Sequence, residues 1–259
     1  MIEMTKQKKI LTEKFSPSEL KSPVLVAHQP EFFPWLGFVS KARMADVYFI
    51  LDTVQFMKEH WHSRNKLRKK DGWLWISTPV LQSKSKLLMW PEARIDNSKN
   101  WKRKHLNSIR MCYSRAKYFE EIYTELEEIY SKEYDFLIDF SEEIIRYAFD
   151  KFNIHVPVYR TSKLNLEGHD ISGIKTDLIL NMCKAANAST FVFGEDGKKY
   201  IEKEKFDAEG INYVFQKFNH PKYAQRYPGF ESHMSFIDIL FNHGPESKNI
   251  LGKIEYDTE

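Results

Sequence analysis

The chain has 259 residues, 42% hydrophobic and 15% aromatic, which is enough to bury a full core as one large α/β domain. No stretch reaches the roughly 18 apolar residues of a membrane span, and the polar start MIEMTKQKKILTEKFSPSELKS has no apolar run of a secretory signal. The net charge is only +3, and two distant cysteines, Cys112 and Cys183, exclude a disulfide framework and fit a reduced, cytoplasmic compartment.

Residues 1–22 read as a flexible N-terminal arm. Residues 24–27 read as a short buried strand that ends in His28-Gln29-Pro30. A helix is expected over 34–47, with Pro34 in its first turn, where no N–H is needed. A second strand over 47–51 completes a strand–helix–strand unit, which argues for parallel pairing. Residues 72–80, GWLWISTPV, suit a further strand, and 83–89 suit a loop. Trp101, His105, Ile109 and Tyr113 recur every four residues, as do Phe136, Phe140, Ile144, Ala148 and Phe152; both spacings mark one face of a helix. Extended chain is expected at 156–159, a helix at 174–186, strands at 190–193 and 211–215, and a last helix at 235–241. The expectation is an α/β fold, a parallel or mixed sheet flanked by helices, with a helical insertion around 100–152. It forms a single domain over 23–245, followed by a tail over 246–259.

Charge is uneven along this plan. Between Lys58 and Lys104 there are thirteen Lys or Arg against four Asp or Glu, and between Glu120 and Asp150 eleven acidic against two basic. The first segment favours an anion such as a phosphate, or an acidic carrier protein; the plain alternative is a solvated charged face. Nucleic acid is disfavoured by the acidic insertion, although Trp61, Trp73, Trp75 and Trp90 stand among the basic residues.

Polar groups placed where buried strands end are how open α/β sheets build sites. His28 is therefore a candidate general base, its neutral imidazole being suited to take a proton near neutral pH. Asp52 and Gln55 follow the second strand and are expected to open into the same crevice. There Asp52 would orient His28 or bind a hydroxyl, and Gln55 would hold an amide; capping of a turn is the other reading of Asp52. Lys58, Arg64 and Asn65 make a candidate anion clamp, because a guanidinium pairs with phosphate or carboxylate. Trp101 and His105 share a helical face, so His105 is a second acid–base candidate or a buried packing histidine. His60 and His62 raise the question of a metal, but no third ligand is spaced to complete a set, and none is expected. Gly194-Glu195-Asp196-Gly197 reads as a turn that aims Asp196 at a hydroxyl or amine. Asp238 and Asn242 are four apart on the last helix and either close the site or satisfy backbone. Neither cysteine has a partner histidine, so neither is expected to be a nucleophile.

Five segments in order resemble the WbqC-like protein family over about residues 24–245. They are HQPEFFPWLGF with MADVYFILDTVQF, HWHSRNKLRKKDGWLWISTPV, Trp101 with His105, ASTFVFGEDGKKYI, and MSFIDILFNHG. The chain departs from the family pattern at His62, Ser63 and Glu195-Asp196. The resemblance implies work in bacterial surface-polysaccharide biosynthesis on an activated sugar. It makes plausible a transferase that passes an acyl or aminoacyl group from a thioester, on CoA or a phosphopantetheinyl carrier protein, to the amine of a nucleotide-linked amino sugar. Gln29 and Trp35, inside the first motif, join the substrate-binding set. No tightly bound cofactor is expected, and an acyl carrier protein is a candidate partner. A glycosyltransferase or nucleotidyltransferase, or a non-catalytic sugar-nucleotide binding module, are the alternatives.

Overall fold

Continuous apolar runs, buried on both faces, decide how this chain layers. In the computed structural model, which describes residues 19–58, 60–81 and 87–258, every apolar run named above is a strand or helix. The first part runs β1 (Val24–His28), α1 (Leu36–Ala42), β2 (Val47–Ile50), β3 (Arg64–Lys69) and β4 (Gly72–Ser77). Three helices follow: α2 (Trp101–Tyr113), α3 (Phe119–Ser131) and α4 (Leu137–Lys151). Next come β5 (Val158–Arg160), α5 (Thr161–Leu166), α6 (Lys175–Ala186) and β6 (Thr190–Phe193). The chain ends with α7 (Lys203–Glu209), β7 (Asn212–Lys217), α8 (Ile237–His243), α9 (Ser247–Ile250) and β8 (Glu255–Asp257).

The main sheet has the order β5-β2-β1-β6-β7-β8. Its first five strands are mutually parallel, and β8 pairs antiparallel with β7. The sheet is therefore mixed, flanked by helices, and the fold is α/β. Strand residues alternate between two cores, as a period of two requires. Val24, Val26, Tyr48, Ile50, Val192 and Val214 face the larger core with α1 and α2–α4. Leu25, Ala27, Val47, Phe49, Phe191 and Phe215 face a smaller one with α5–α7.

Some local expectations change. The helix expected over 34–47 is shorter, because Arg43 ends it and Asp46 turns the chain: Asp46 Oδ2 accepts the Val24 N–H at 2.9 Å. Residues 72–77 do not join the main sheet. They pair antiparallel with β3 as a separate hairpin, whose strand 64–69 is hidden in sequence by its run of basic residues. Residues 255–257, read as tail, form the edge strand of the sheet. Most of the expected loop 83–89 and of the arm 1–22 lies outside the described residues. Among the described residues, no helix is long and apolar enough to cross a membrane.

The three-helix insertion sits between β4 and β5, and its stripes are buried as spaced: Trp101, His105, Ile109 and Tyr113 in α2, and Phe140, Ile144 and Ala148 in α4. Part of its acidic face is engaged in ion pairs, Glu143 with Lys132, Glu125 with Lys151, and Glu142 with Arg146 and with Arg160 of β5. Phe140 joins the insertion to the motif after β1, meeting Trp101 at 5.1 Å, Tyr130 at 5.3 Å, Phe32 at 6.0 Å and Phe33 at 6.3 Å between ring centroids. Phe140→Ala is expected to cost about 3–5 kcal/mol of unfolding free energy, the range for emptying a buried aromatic site, read as a shifted denaturant midpoint at constant slope.

Candidate functional site

β1 lies between β2 and β6, so the connections on its two sides leave in opposite directions. A crevice opens beyond the carboxyl ends of such strands. Here it is a cleft of about 890 Å³, lined by His28 and Leu51 at strand ends, by Gly194–Gly197 after β6, and by Gln216 of β7. That volume suits a substrate of nucleotide-sugar size.

His28 ends β1 and has a third of its side-chain surface open to the cleft. Its Nδ1 lies 2.8 Å from the Gln29 carbonyl oxygen. A carbonyl only accepts, so Nδ1 carries the proton and Nε2 keeps the lone pair. Nε2 lies 3.9 Å from Glu31 Oε1. Burial, with the Lys41 charge adding to it, pushes the imidazole down to about 3. It is neutral at any ordinary pH.

Glu31 is 5% exposed, and its Oε2 has no hydrogen-bond partner. Burial pushes its carboxyl up to about 8. Lys41 is equally buried; its ammonium donates to the Ala27 carbonyl at 3.1 Å, and burial brings it down to about 8. A carboxyl and an ammonium that titrate together beside a neutral imidazole, in an open cleft, are a grouping found where protons are moved.

The cleft walls are aromatic and imidazole-rich. Trp35 stacks on His233 at 5.0 Å and meets Phe218 edge-on at 5.3 Å. Its indole lies over Gly37 of α1, where an added Cβ would come within 2.2 Å of the ring, so a larger residue there would displace the indole. His62 accepts the Met57 N–H through Nδ1 at 3.0 Å and is pushed down to about 4 by burial and by His60. His220 and His233 are also lowered by burial. These rings therefore offer donors and acceptors without charge. Among the described residues, no group of three or more His, Cys, Asp or Glu is arranged to hold a metal ion. Both cysteines are buried; burial, and for Cys112 also Asp238, raises their thiols, Cys112 to about 11.

Of the residues expected in the site, the fold brings His28, Gln29, Trp35 and Asp196 to the cleft. Asp196 is exposed there and pairs with Lys199 at 2.5 Å. Asp52 does not join them. It is buried, and its carboxylate accepts from Thr161 Oγ1 at 3.0 Å, the Ser162 N–H at 2.8 Å and Ser162 Oγ at 2.5 Å, clasping the start of α5 to the end of β2. Gln55 is exposed outside the cleft, in an isolated bridge with Met89, and Lys58 is exposed outside it as well.

His105 is not at the cleft either. Its Nε2–H donates to the Ser77 carbonyl at 2.9 Å and its Nδ1 accepts from the Tyr130 hydroxyl at 3.0 Å, so it ties α2 and α3 to the hairpin. Trp101 packs on it and donates to Asn97 Oδ1 at 3.0 Å. Asn65 is fully buried and donates to the Phe33 carbonyl at 2.6 Å, so it anchors the hairpin rather than a ligand. Asp238 is fully buried and accepts from Tyr223 and Gln225, at 2.8 and 2.9 Å, and Asn242 donates to the Asp238 carbonyl at 2.6 Å. Arg64 lies on the hairpin beside the cleft, with its guanidinium 4.5 Å above Trp75.

Sequence reasoning missed Glu31 and Lys41. A signal was present, since both stand beside apolar residues, Glu31 before Phe32-Phe33 and Lys41 within the short helix that carries Leu36, Phe38, Val39 and Ala42. His220, His233 and Gln216 had no such signal. Asp52→Ala is expected to lower stability by about 2–3 kcal/mol, as loss of a buried charge-assisted cluster should, while leaving ligand binding at the cleft intact. Denaturant unfolding beside a ligand titration checks both halves.

The chain matches the WbqC-like protein family over residues 29–250. It is also similar to an uncharacterized protein of Mycobacterium tuberculosis (strain ATCC 25618 / H37Rv), 27% identical over 225 residues, which cover 86% of this chain and 95% of that protein. No solved structure matches it. With well over half of the chain matched, including six of its eight strands and the cleft residues from Gln29 onward, the chain belongs to the WbqC-like protein family.

Proposed function

We propose that the cleft is the active site of a transferase of bacterial surface-polysaccharide biosynthesis, moving an acyl or aminoacyl group from a thioester to the amine of a nucleotide-linked amino sugar. The observation that carries this reading is the grouping of His28, Glu31 and Lys41 at the carboxyl end of β1. Transfer from a thioester to an amine needs a proton acceptor and a stabilised oxyanion, and no covalent nucleophile. The two cysteines, buried and held as thiols, are not suited to thiol catalysis.

The amine nitrogen attacks the thioester carbonyl carbon, and its proton passes to His28 Nε2. The tetrahedral intermediate collapses with cleavage of the C–S bond, and the thiol leaves with that proton. A buried imidazolium is costly to form, and an ionised Glu31 at 3.9 Å offsets the cost. A charged Lys41 favours the oxyanion. His62, pushed down to about 4, also faces the cleft and adds no charge that would compete.

The pH dependence follows from Glu31 rather than His28. With the imidazole at about 3, His28 is already unprotonated at neutral pH and contributes no titration there. Glu31 is held neutral below about 8 and ionises above it, so turnover is expected to rise with pH towards 8. Lys41 loses its charge in the same range and limits the rise above it. Glu31→Gln is expected to flatten the rising limb. His28→Asn is expected to keep fold and binding but lower turnover by about 10²–10⁴-fold. Mass spectrometry of a nucleotide amino sugar incubated with CoA and carrier-protein thioesters reads both. Full activity in His28→Asn removes the base, and no product with any thioester moves the reading to glycosyl or nucleotidyl transfer or to a binding module.

A further inference from the structure

The hairpin β3–β4 presents a second chemistry beside the cleft. In antiparallel pairing Lys66 stands opposite Trp75 and Arg68 opposite Trp73, so these four and Arg64 share the outer face. Trp73 and Trp75 are 36% and 38% exposed, high for the largest apolar side chain. Their rings meet at 5.1 Å, and Trp61 meets Trp75 at 5.6 Å. Lys66 Nζ lies 4.5 Å from the Trp73 ring, 5.6 Å from Trp75 and 5.7 Å from Trp61.

The three cations of this face are treated differently by the fold. Arg68 is saturated: its guanidinium donates to the carbonyls of Lys69, Gly72 and Pro228 and to Gln225 Oε1, so it is a structural tie. Arg64 and Lys66 have no carboxylate partner among the described residues; their charges rest on indole faces alone. The Nε of Arg64 is buried and has no hydrogen-bond partner. A cation without a counter-charge, next to exposed aromatic faces, fits a ligand with an anion at one end and a flat ring at the other.

The face is also continuous with the cleft. Trp61 lines the cleft and belongs to the aromatic group, and its carbonyl accepts the Phe32 N–H at 2.8 Å, next to Glu31. The Lys66 carbonyl accepts the Ser235 N–H at 3.1 Å, two residues from His233 of the cleft wall. At the other end Arg68 donates to the Pro228 carbonyl, so this end of the six-residue strands is taken up by the fold and the platform is short.

We infer that the outer face of the β3–β4 hairpin binds the nucleoside diphosphate end of the substrate, its base stacked on Trp73 and Trp75 and its phosphates against Arg64 and Lys66. The inference rests on reading the cleft as a transferase site for a nucleotide-linked sugar, and it places the sugar end towards His28. A short platform suits one base, and stacking does not select which base.

Calorimetric titration of the full chain with UDP, GDP, CDP, ADP, dTDP and inorganic pyrophosphate tests this. At least one nucleoside diphosphate is expected to bind. Trp75→Leu should weaken it by about five- to hundredfold, the usual share of one stacked base, and leave pyrophosphate nearly unchanged. Lys66→Met and Arg64→Gln should weaken nucleotide and pyrophosphate together. Trp75→Phe should recover part of the loss, and circular dichroism melts show that each variant is folded. If no nucleoside diphosphate binds below roughly 1 mM, or if binding ignores all the hairpin variants, the inference is overturned. The two proposals fail separately. Nucleotide held by the hairpin with no thioester giving product sinks the transferase reading alone. Product formed from free and nucleotide-linked amino sugar alike, untouched by Trp75→Leu, sinks this one.

Discussion

The position of β1 constrains everything at the cleft. Its main chain is shared between β2 on one side and β6 on the other, both parallel, so its carboxyl end opens in the middle of the sheet edge. The segment after it must turn under the sheet end, which it does as His28–Phe33, with the apolar pair Phe32-Phe33 driven into the larger core. That burial carries Glu31 inwards with it. α1 then returns along the same side and brings Lys41 up beneath the Ala27 carbonyl. A crevice at this point is a consequence of topology; its chemistry is a consequence of which two charged residues the turn and helix bury.

Burying a carboxyl and an amine costs several kcal/mol each when they are not in direct contact. Here no ion pair within 4.0 Å joins them, and one carboxyl oxygen is left without a partner. Apolar residues at both positions would stabilise the domain more. The fold compensates elsewhere, with a core that runs unbroken from the sheet through α1 into the three-helix insertion. A stability cost retained at the end of a central strand, in an open cleft, is what a site that handles protons requires.

The layers of the fold were legible because burial repeats with a period. Short continuous apolar runs marked β1, β2, β6 and β7, and four-residue stripes marked α2 and α4. The site was legible only at His28, Gln29, Trp35 and Asp196. His28 and Asp52 carry the same signal, a polar residue that closes an apolar strand, and part company because of what lies beyond. The groups that claim Asp52, Thr161 and Ser162, come about 110 residues later, when β5 pairs on the outer side of β2 and α5 starts above its end. No equivalent element returns over His28, because β6 leads away from it. His105 failed for a related reason: its helical face is correct, but that face meets the hairpin and not the cleft. Lys41 was hidden by the habit of reading lysine as solvent-exposed, which a fully buried seven-residue helix overrules.

The helical insertion gains a role from the same contacts. The Tyr113 hydroxyl accepts the Arg68 N–H at 2.9 Å, and His105 donates to the Ser77 carbonyl, so α2 holds both strands of the hairpin by their main chains. Asn65 pins the hairpin to Phe33 from below. The hairpin is thus fixed between the insertion and the turn that carries Glu31, and its tryptophans are held in register with the cleft rim. A two-stranded ribbon alone would be marginal in water. Braced in this way it can keep large aromatic side chains exposed, and among the described residues no carboxylate pairs with Arg64 or Lys66, although the neighbouring helical insertion is acidic. Several of its carboxylates are paired with lysines and arginines of the insertion and of β5. The separation of charge in the sequence therefore survives folding as a separation of surfaces, an acidic one on the helices and a basic, aromatic one on the hairpin.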